Sequence, residues 1–242
     1  PLPYFTPKPS LACINQEKIT AFHGVPTMFI AMLEHPDFEK TDFSHMRTGI
    51  MAGSPCPIAT MKDVVGKMNM KEITIVYGQT EASPGCTMGD VNEDIDHRVE
   101  TVGSAFPGVE CKIIDPETGE DLPDGENGEF VARGYNIMKG YYKMPHATAQ
   151  AIDKDGWLHT GDLGVMDAEG NITIKGRSKN MLLGPSGQNI YPEEIEDKLN
   201  NMLYVNESIV IQAVDGKLVA LIYPDFDLAF ANGLTEDDVV KQ

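Results

Sequence analysis

One short motif combines an aromatic ring, a glycine, a hydroxyl and a carboxylate within five positions. It consists of Tyr77, Gly78, Gln79, Thr80 and Glu81. Glycine permits close approach of the backbone, a threonine hydroxyl can donate a hydrogen bond to a phosphate oxygen, and glutamate is a hard oxygen ligand suited to Mg²⁺. Taken alone, the motif also fits a buried strand tyrosine followed by a solvated turn, so its meaning depends on the rest of the chain.

A second group of charged residues lies further along the chain. Asp162 ends the segment 157–162, and Arg177 follows fifteen residues later. Lys175, Arg177 and Lys179 lie within five residues of one another, in a chain whose formal net charge is −18. An anionic ligand would need such a local exception to an acidic surface. A third motif runs from Gly187 to Glu196.

These motifs, in this order and at these spacings, resemble those of the adenylate-forming enzymes, in particular the acyl-CoA synthetases. The resemblance extends from about Phe22 to about Asp225, which is most of the chain. Such enzymes attack the α-phosphate of ATP with a carboxylate, release pyrophosphate, and then transfer the acyl group from AMP to a thiol. The resemblance therefore implies ATP, Mg²⁺, CoA and a carboxylic acid as ligands.

The resemblance also implies a role for each residue of the first two motifs. Tyr77 would offer a flat face to adenine, Thr80 and Glu81 would be catalytic, and Glu81 would bind Mg²⁺. Asp162 and Arg177 would bind the ribose hydroxyls, with Arg177 also near the phosphate. The implied nucleotide-binding residues are Gly53, Ser54, Pro55, Tyr77, Gly78, Gln79, Thr80, Asp162 and Arg177. For the first three, which match a loop between the adenine and acyl pockets, a plain turn is the alternative.

A hinge and a mobile loop are implied further along. Lys179 matches the hinge between a large and a small domain, which predicts a domain boundary at 178/179. Residues 1–178 would be the later part of the large adenylation domain, and 179–242 the first part of a small, mobile α+β domain. Gly187, Gln188 and Asn189 match the loop that swings into the active site for thiol transfer. Gln188 departs from the usual Glu, which removes a charge, and the preceding segment 184–187 is more constrained than a pair of glycines.

The secondary structure around the first motif follows an α/β pattern in residues 1–97. Hydrophobic periodicity predicts strands at 19–22, 47–52 and 72–77, and helices at 27–34 and 58–68. Strands that alternate with glycine loops and helices are typical of a parallel α/β sheet, which binds ligands at the carboxyl ends of its strands.

The pattern of residues 98–178 indicates a β-rich subdomain, because short apolar runs alternate with Pro, Gly and Asp turns. In the remaining chain, the sequence predicts a helix from Pro192 to about Asn201 and a hairpin around Asp215 and Gly216. The acidic tail after Asp225 carries no clear pattern. The predicted strands of these two regions are 109–114, 128–133, 164–167, 171–175, 208–213 and 217–223.

The composition excludes several classes of function. A formal net charge of −18 argues against a nucleic-acid surface, which needs a basic stripe. No apolar run approaches the ~18–20 residues of a transmembrane helix, and the first residues lack the basic and apolar regions of a secretory signal. Four widely spaced cysteines without a C-x-x-C pair indicate reduced thiols. We therefore expect a cytoplasmic protein; the sequence leaves open whether it forms a homodimer.

Two features of the adenylate-forming enzymes are missing. The Ser/Thr/Gly-rich phosphate loop that ends in Pro-Lys-Gly has no counterpart between Pro1 and His23. The adenylation lysine has none either, because Lys241 lacks a preceding glycine. We therefore expect these 242 residues to be the middle of an enzyme and to be catalytically inactive by themselves.

The resemblance leaves three alternatives for the function. The segments 24–28 and 52–55 look most like the medium- and long-chain fatty-acid branch, so we expect a fatty-acid–CoA ligase rather than an aryl-acid–CoA ligase. Such an enzyme is an AMP-forming acid–thiol ligase. An amino-acid adenylation domain usually has an Asp just after its Gly-Val-Pro segment, and the segment 27–29 offers none. The third alternative is a nucleotide-binding or assembly module without turnover.

Overall fold

A computed structural model describes residues 4–183, 189–213 and 217–240. The chain folds into two compact units. The first unit comprises Pro1–Thr160 and Gly164–Ile174, and the second comprises Gly161–Leu163 and Lys175–Gln242.

The first part of the chain alternates strands and helices. Its helices and strands are α1 (Pro7–Glu17), β1 (Ala21–Gly24), α2 (Pro26–Leu33), β2 (Thr48–Ala52), α3 (Ile58–Lys67), β3 (Glu72–Tyr77), β4 (Thr87–Met88), α4 (Ile95–Glu100) and β5 (Ser104–Ala105). Short 3₁₀ helices lie at Phe38–Lys40 and Thr80–Ala82. Both α1 and α2 begin on a proline, which suits a first helical turn because its missing N–H would have no helical partner there.

Strands β1 to β5 form one sheet in that order. Strands β1, β2 and β3 are parallel neighbours, whereas β4 and β5 continue the sheet in antiparallel fashion. The predicted parallel α/β sheet is therefore confirmed, with β3 found at the predicted residues. The antiparallel extension was not predicted, since strands of two residues are too short to show a periodicity.

The core of this sheet and its helices is rich in methionine. In α3, Met61 and Val64 lie three positions apart on the buried side, which is the spacing of an amphipathic helix. Met32, Met51 and Met68 are fully buried in the same cluster. Methionine is flexible and polarizable, so it fills irregular gaps between helices and a sheet.

A four-stranded sheet follows, in the order β6-β7-β8-β9. These strands and the helix between them are β6 (Val109–Ile114), β7 (Asn127–Gly134), α5 (Pro145–Ala151), β8 (Leu158–Met166) and β9 (Ile172–Arg177). The predicted β-rich region is present, and β6 has the predicted bounds. Strand β8 begins six residues before the strand predicted there, because His159 and Gly161 interrupt its apolar pattern.

The second unit contains a hairpin and three helices in its described residues. Its elements are β10 (Leu182–Leu183), β11 (Asn189–Ile190), α6 (Pro192–Asn200), β12 (Val205–Gln212), β13 (Leu218–Pro224), α7 (Phe226–Ala231) and α8 (Glu236–Val240). The predicted hairpin is present as the antiparallel pair β12–β13, while its predicted turn at Asp215 and Gly216 lies outside the described residues. Helix α6 is tied to β12 by Glu196, whose Oε1 accepts from the Val210 N–H at 2.7 Å.

The tail after Asp225 is more regular than its sequence pattern indicated. The Asp225 side chain caps α7 by accepting from the Leu228 N–H at 2.9 Å. Asp238 accepts from the Thr235 N–H, also at 2.9 Å, at the start of α8. These are N-terminal capping contacts, a local signal that hydrophobic periodicity does not detect.

Every helix that the structure describes is too short or too polar to cross a membrane. The four cysteines, Cys13, Cys56, Cys86 and Cys111, are free thiols. Burial raises the pKa of Cys86 to about 11 and that of Cys111 to about 12. These two thiols are therefore protonated at neutral pH and behave as small apolar side chains.

Candidate functional site

Three loops leave the parallel sheet at the same edge. Strands β1, β2 and β3 are parallel, with Ala52 opposite Val76 in the β2–β3 register, so the segments that follow their carboxyl ends emerge side by side. The loop after β2 holds Gly53, Ser54 and Pro55, which are all exposed. The structure thus brings these predicted residues next to the Tyr77–Glu81 motif, which follows β3.

The conformation of Gly53 explains why this loop needs a glycine. Its φ is +91°, in the left-handed region that side chains rarely adopt. A Cβ there would also lie 3.1 Å from Cγ1 of Val25, which directly follows β1. The loops after β1 and β2 are therefore in close contact at this edge of the sheet.

The chain folds back on itself directly after β3. Tyr77 is the last residue of the strand, and its ring packs edge-on against Phe130 with 5.3 Å between ring centroids. A side chain at Gly78 would clash with the carbonyl oxygen of Pro84 and lie 2.7 Å from Cα of Gly85. The glycine is thus required by the path of the protein's own backbone; its role beside a ligand stays a prediction.

Glu81 lies in the 3₁₀ turn Thr80–Ala82, which begins after Gln79 in extended conformation. Its carboxylate Oε1 accepts a hydrogen bond from the Tyr141 hydroxyl at 2.7 Å. Its backbone carbonyl accepts from the Met138 N–H, also at 2.7 Å. The hydrogen bond to Glu81 raises the pKa of Tyr141, because ionisation would remove the donor and place two negative charges together. Tyr141 is therefore a neutral donor at physiological pH.

Asn136 holds the other end of the same loop. This buried residue donates from Nδ2 to the carbonyl oxygens of Gly85 at 2.7 Å and Ala82 at 3.2 Å. Sequence reasoning missed Asn136, Met138 and Tyr141. These contacts join positions more than fifty residues apart, and no local pattern in the sequence indicates such pairs.

Glu81 would be a single carboxylate ligand for a divalent cation at this site. Among the described residues, no group of three or more His, Cys, Asp or Glu side chains could hold a metal ion. Mg²⁺ usually keeps several waters and binds through one or two carboxylates together with substrate phosphates. One glutamate beside a nucleotide therefore fits Mg²⁺, whereas a cage made only of protein ligands is not found in this part of the chain.

In the second unit, Asp162 and Arg177 form an ion pair. Arg177 Nε lies 2.8 Å from Asp162 Oδ1, and the side chains are 55% and 8% exposed. The two residues lie in the adjacent strands β8 and β9. Gly161 interrupts β8 with a φ of +71°, and its carbonyl accepts from the Ser178 N–H at 2.9 Å. The structure thus brings together the two residues that the sequence assigned to one ribose.

Lys179 lies in the turn after β9 and is exposed. The turn is closed by the Asn180 N–H, which donates to the Arg177 carbonyl at 3.0 Å. Of the predicted thioester-state loop, Gly187 and Gln188 lie outside the described residues, and the Asn189 backbone pairs with Leu183 in the β10–β11 ladder. The hinge and the mobile loop stay predictions.

Known proteins resemble this chain over nearly its whole length. YngI of Bacillus subtilis, which bears the provisional name of acyl-CoA synthetase, is 52% identical over 90% of this chain and 39% of its own. The mitochondrial medium-chain acyl-CoA ligase ACSF2 of Mus musculus is 39% identical over 89% of this chain and 35% of its own. The chain thus spans well under half the length of these relatives.

A solved structure supports the fold independently. The ATP-bound crystal structure of MatB from Rhodopseudomonas palustris superposes with a TM-score of 0.80, at 33% identity, covering 98% of this chain and 48% of MatB. A family model described as "AMP-binding enzyme" matches residues 2–142. This is more than half of the chain, and it contains the loops that follow β1, β2 and β3. By sequence and by fold, this chain belongs to the AMP-binding enzyme family.

Proposed function

We propose that the protein containing this chain is an ATP-dependent acyl-CoA synthetase. It activates a carboxylic acid as acyl-AMP and transfers the acyl group to CoA. The observation that carries this proposal is the shared edge of the parallel sheet, where the loop 53–55 and the motif 77–81 lie side by side at the carboxyl ends of β2 and β3. This is where open α/β sheets bind nucleotides and related ligands.

The names of the relatives support the reaction and suggest the acid. YngI is named as an acyl-CoA synthetase and ACSF2 as a medium-chain acyl-CoA ligase. MatB binds ATP in its crystal structure. We therefore propose ATP and CoA as substrates and a medium- or long-chain fatty acid as the acyl donor.

The residues of each unit have a role in this reaction. Tyr77 supports the adenine ring, and the Thr80 hydroxyl donates to a phosphate oxygen. Asp162 accepts from the ribose hydroxyls, and the Arg177 guanidinium that holds it supplies positive charge for the phosphate. Glu81 would hold Mg²⁺, which would supply positive charge to the phosphates of ATP.

The remaining predictions belong to the same proposal. Lys179 is the hinge at the proposed 178/179 domain boundary, and Gly187, Gln188 and Asn189 enter the site for thiol transfer. Four free thiols are typical of a reducing compartment, for which we propose the cytoplasm.

The test is carboxylate-dependent exchange between ATP and labelled pyrophosphate, followed by acyl-CoA formation, in the complete product of the gene. The acids are a series of fatty acids of increasing chain length, a set of aryl acids and a set of amino acids. We expect exchange and thioester formation to be greatest with medium or long fatty acids. A preference for aryl acids or amino acids would contradict the proposal that the substrate is a fatty acid. Nucleotide binding without exchange would contradict the proposal that the protein is an enzyme.

A further inference from the structure

Tyr141 contacts the Glu81 carboxylate from outside its own loop. Its hydroxyl donates to Glu81 Oε1 at 2.7 Å. The tyrosine is anchored independently of this contact, because its own N–H donates to Thr148 Oγ1 at 2.9 Å. The donor therefore has a fixed origin, sixty residues away from the acceptor in sequence.

The segment that carries Tyr141 also makes three hydrogen bonds to the loop after β3. Asn136 donates to the carbonyls of Ala82 and Gly85, and the Met138 N–H donates to the carbonyl of Glu81. These three bonds fix the backbone, and the Tyr141 hydroxyl fixes the side chain. Together they determine where the Glu81 carboxylate lies.

A fixed carboxylate binds a cation more tightly than a mobile one. A glutamate side chain loses considerable rotamer freedom when it becomes ordered, and a donor that orders it beforehand removes this cost from cation binding. A carboxylate has two oxygens with about four lone-pair positions, so a hydrogen bond at Oε1 leaves capacity for a metal ion. Partners of this kind orient metal ligands in many proteins.

We infer that Tyr141 is a positioning residue for the cation-binding carboxylate of this site. The inference rests on the proposed function, because it assumes that Glu81 binds Mg²⁺ together with the nucleotide. It assigns a role to the segment 136–141, which no motif of the nucleotide site includes. A purely structural Tyr141 would instead stabilise the fold without any effect on the cation.

The experiment compares Tyr141→Phe with Tyr142→Phe in the complete gene product. The control is matched, since it also removes one hydroxyl, from the neighbouring tyrosine, whose side chain is 85% exposed. ATP affinity is measured by calorimetry with Mg²⁺ and again with a chelator. We expect Tyr141→Phe to weaken binding about threefold to tenfold with Mg²⁺ and to leave metal-free binding unchanged. Tyr142→Phe should match the wild type under both conditions.

A double-mutant cycle with Glu81→Gln separates the possible failures. If Tyr141 acts through Glu81, Tyr141→Phe has no further effect on binding once the carboxylate is gone. Equal losses with and without Mg²⁺, or a full loss that persists in the Glu81→Gln background, would overturn the positioning role while leaving the proposed function intact. A wild-type protein whose ATP affinity does not depend on Mg²⁺ would overturn both.

Discussion

The first unit carries the carboxylate of Glu81 and the second that of Asp162, and the two are held in opposite ways. Asp162 lies within a strand, with a side chain 8% exposed, and its donor is the charged guanidinium of Arg177 at 2.8 Å. Glu81 lies in a turn after a strand, is only partly buried, and its donor is the neutral hydroxyl of Tyr141 at 2.7 Å. The two donor–acceptor distances are similar, but the carboxylates differ in burial and in the charge of their donors.

Because of this difference, substitutions at the two carboxylates should differ in their effects on stability and on activity. A buried carboxylate that loses its charged partner carries a large desolvation cost, so the Asp162–Arg177 pair contributes to the fold as well as to any ligand. A partly exposed carboxylate can return to water when its neutral donor is removed. We therefore expect changes at Glu81 to affect catalysis with little effect on stability, and changes at Asp162 to affect both.

The largest effect is expected from Glu81→Gln in the complete gene product. Loss of the charge that holds Mg²⁺ should lower carboxylate-dependent pyrophosphate exchange by about 10²–10³-fold, since electrostatic stabilisation is the main contribution of a protein to displacement at a phosphate, here the α-phosphate of ATP. The melting temperature should stay close to that of the wild type. Glu100→Gln, at an exposed position at the end of α4, is the control. Exchange above a tenth of the wild-type rate would contradict the role of Glu81.

The second prediction asks whether the strand that carries Arg177 ends at a hinge. Proline fixes φ near −65° and removes an N–H, so Lys179→Pro should trap one arrangement of the proposed domains. We expect acyl-AMP formation to survive and acyl-CoA formation to fall by about two orders of magnitude, because only the second step requires the proposed rotation.

Lys179→Ala is the matched control for the hinge. The side chain of a hinge residue need not touch the substrate, so this variant should retain both half-reactions. The two half-reactions are assayed separately on the same preparation. An equal decrease of both in Lys179→Pro, with the fold intact, would mean that the 178/179 boundary is misplaced.

The two carboxylates also differ in how far the sequence predicted their surroundings. The sheet strand before Glu81 was predicted at its observed residues, because Ile73, Ile75 and Tyr77 recur at every second position, which is the period of a strand. The strand around Asp162 was predicted too short, because Gly161 lies in its middle with a φ of +71°. Local pattern reveals regular elements, and it fails where a strand is bent.

Long-range contacts lie beyond the reach of such reasoning. Residue types in motifs indicated that Glu81 and Asp162 belong to one reaction, but nothing indicated Tyr141 or Asn136. Their hydrogen bonds depend on how β7 and the following segment pack against the loop after β3. That packing is set by the tertiary fold, which a single sequence does not encode in any local pattern.

The third prediction concerns Asp162→Ala. The loss of a charge-assisted hydrogen bond costs roughly 1.5–3 kcal/mol, so ATP affinity should fall by about tenfold or more, and both half-reactions should slow. The melting temperature should also fall, unlike that of Glu81→Gln, because the variant removes a side chain that is only 8% exposed, together with its ion pair to Arg177. Asp162→Asn keeps an acceptor and should show a smaller loss. An unchanged Michaelis constant for ATP would exclude the ribose contact.

The smallest effect is expected from Gly161→Ala, which tests whether the bend in β8 positions Asp162. A Cβ at this glycine would meet no atom within 4 Å, so only the strain of a left-handed backbone remains, about 1–2 kcal/mol. Gly170→Ala is a close control: its φ is +84° and its Cβ would also meet nothing within 4 Å. Both variants should lose similar stability on thermal unfolding. Only Gly161→Ala should also weaken ATP binding, by about twofold to fivefold, because relief of the strain would shift the adjacent carboxylate away from Arg177. Equal ATP affinities in the two variants would mean that the ion pair alone fixes Asp162, and that the bend is a feature of the strand without a role in the site.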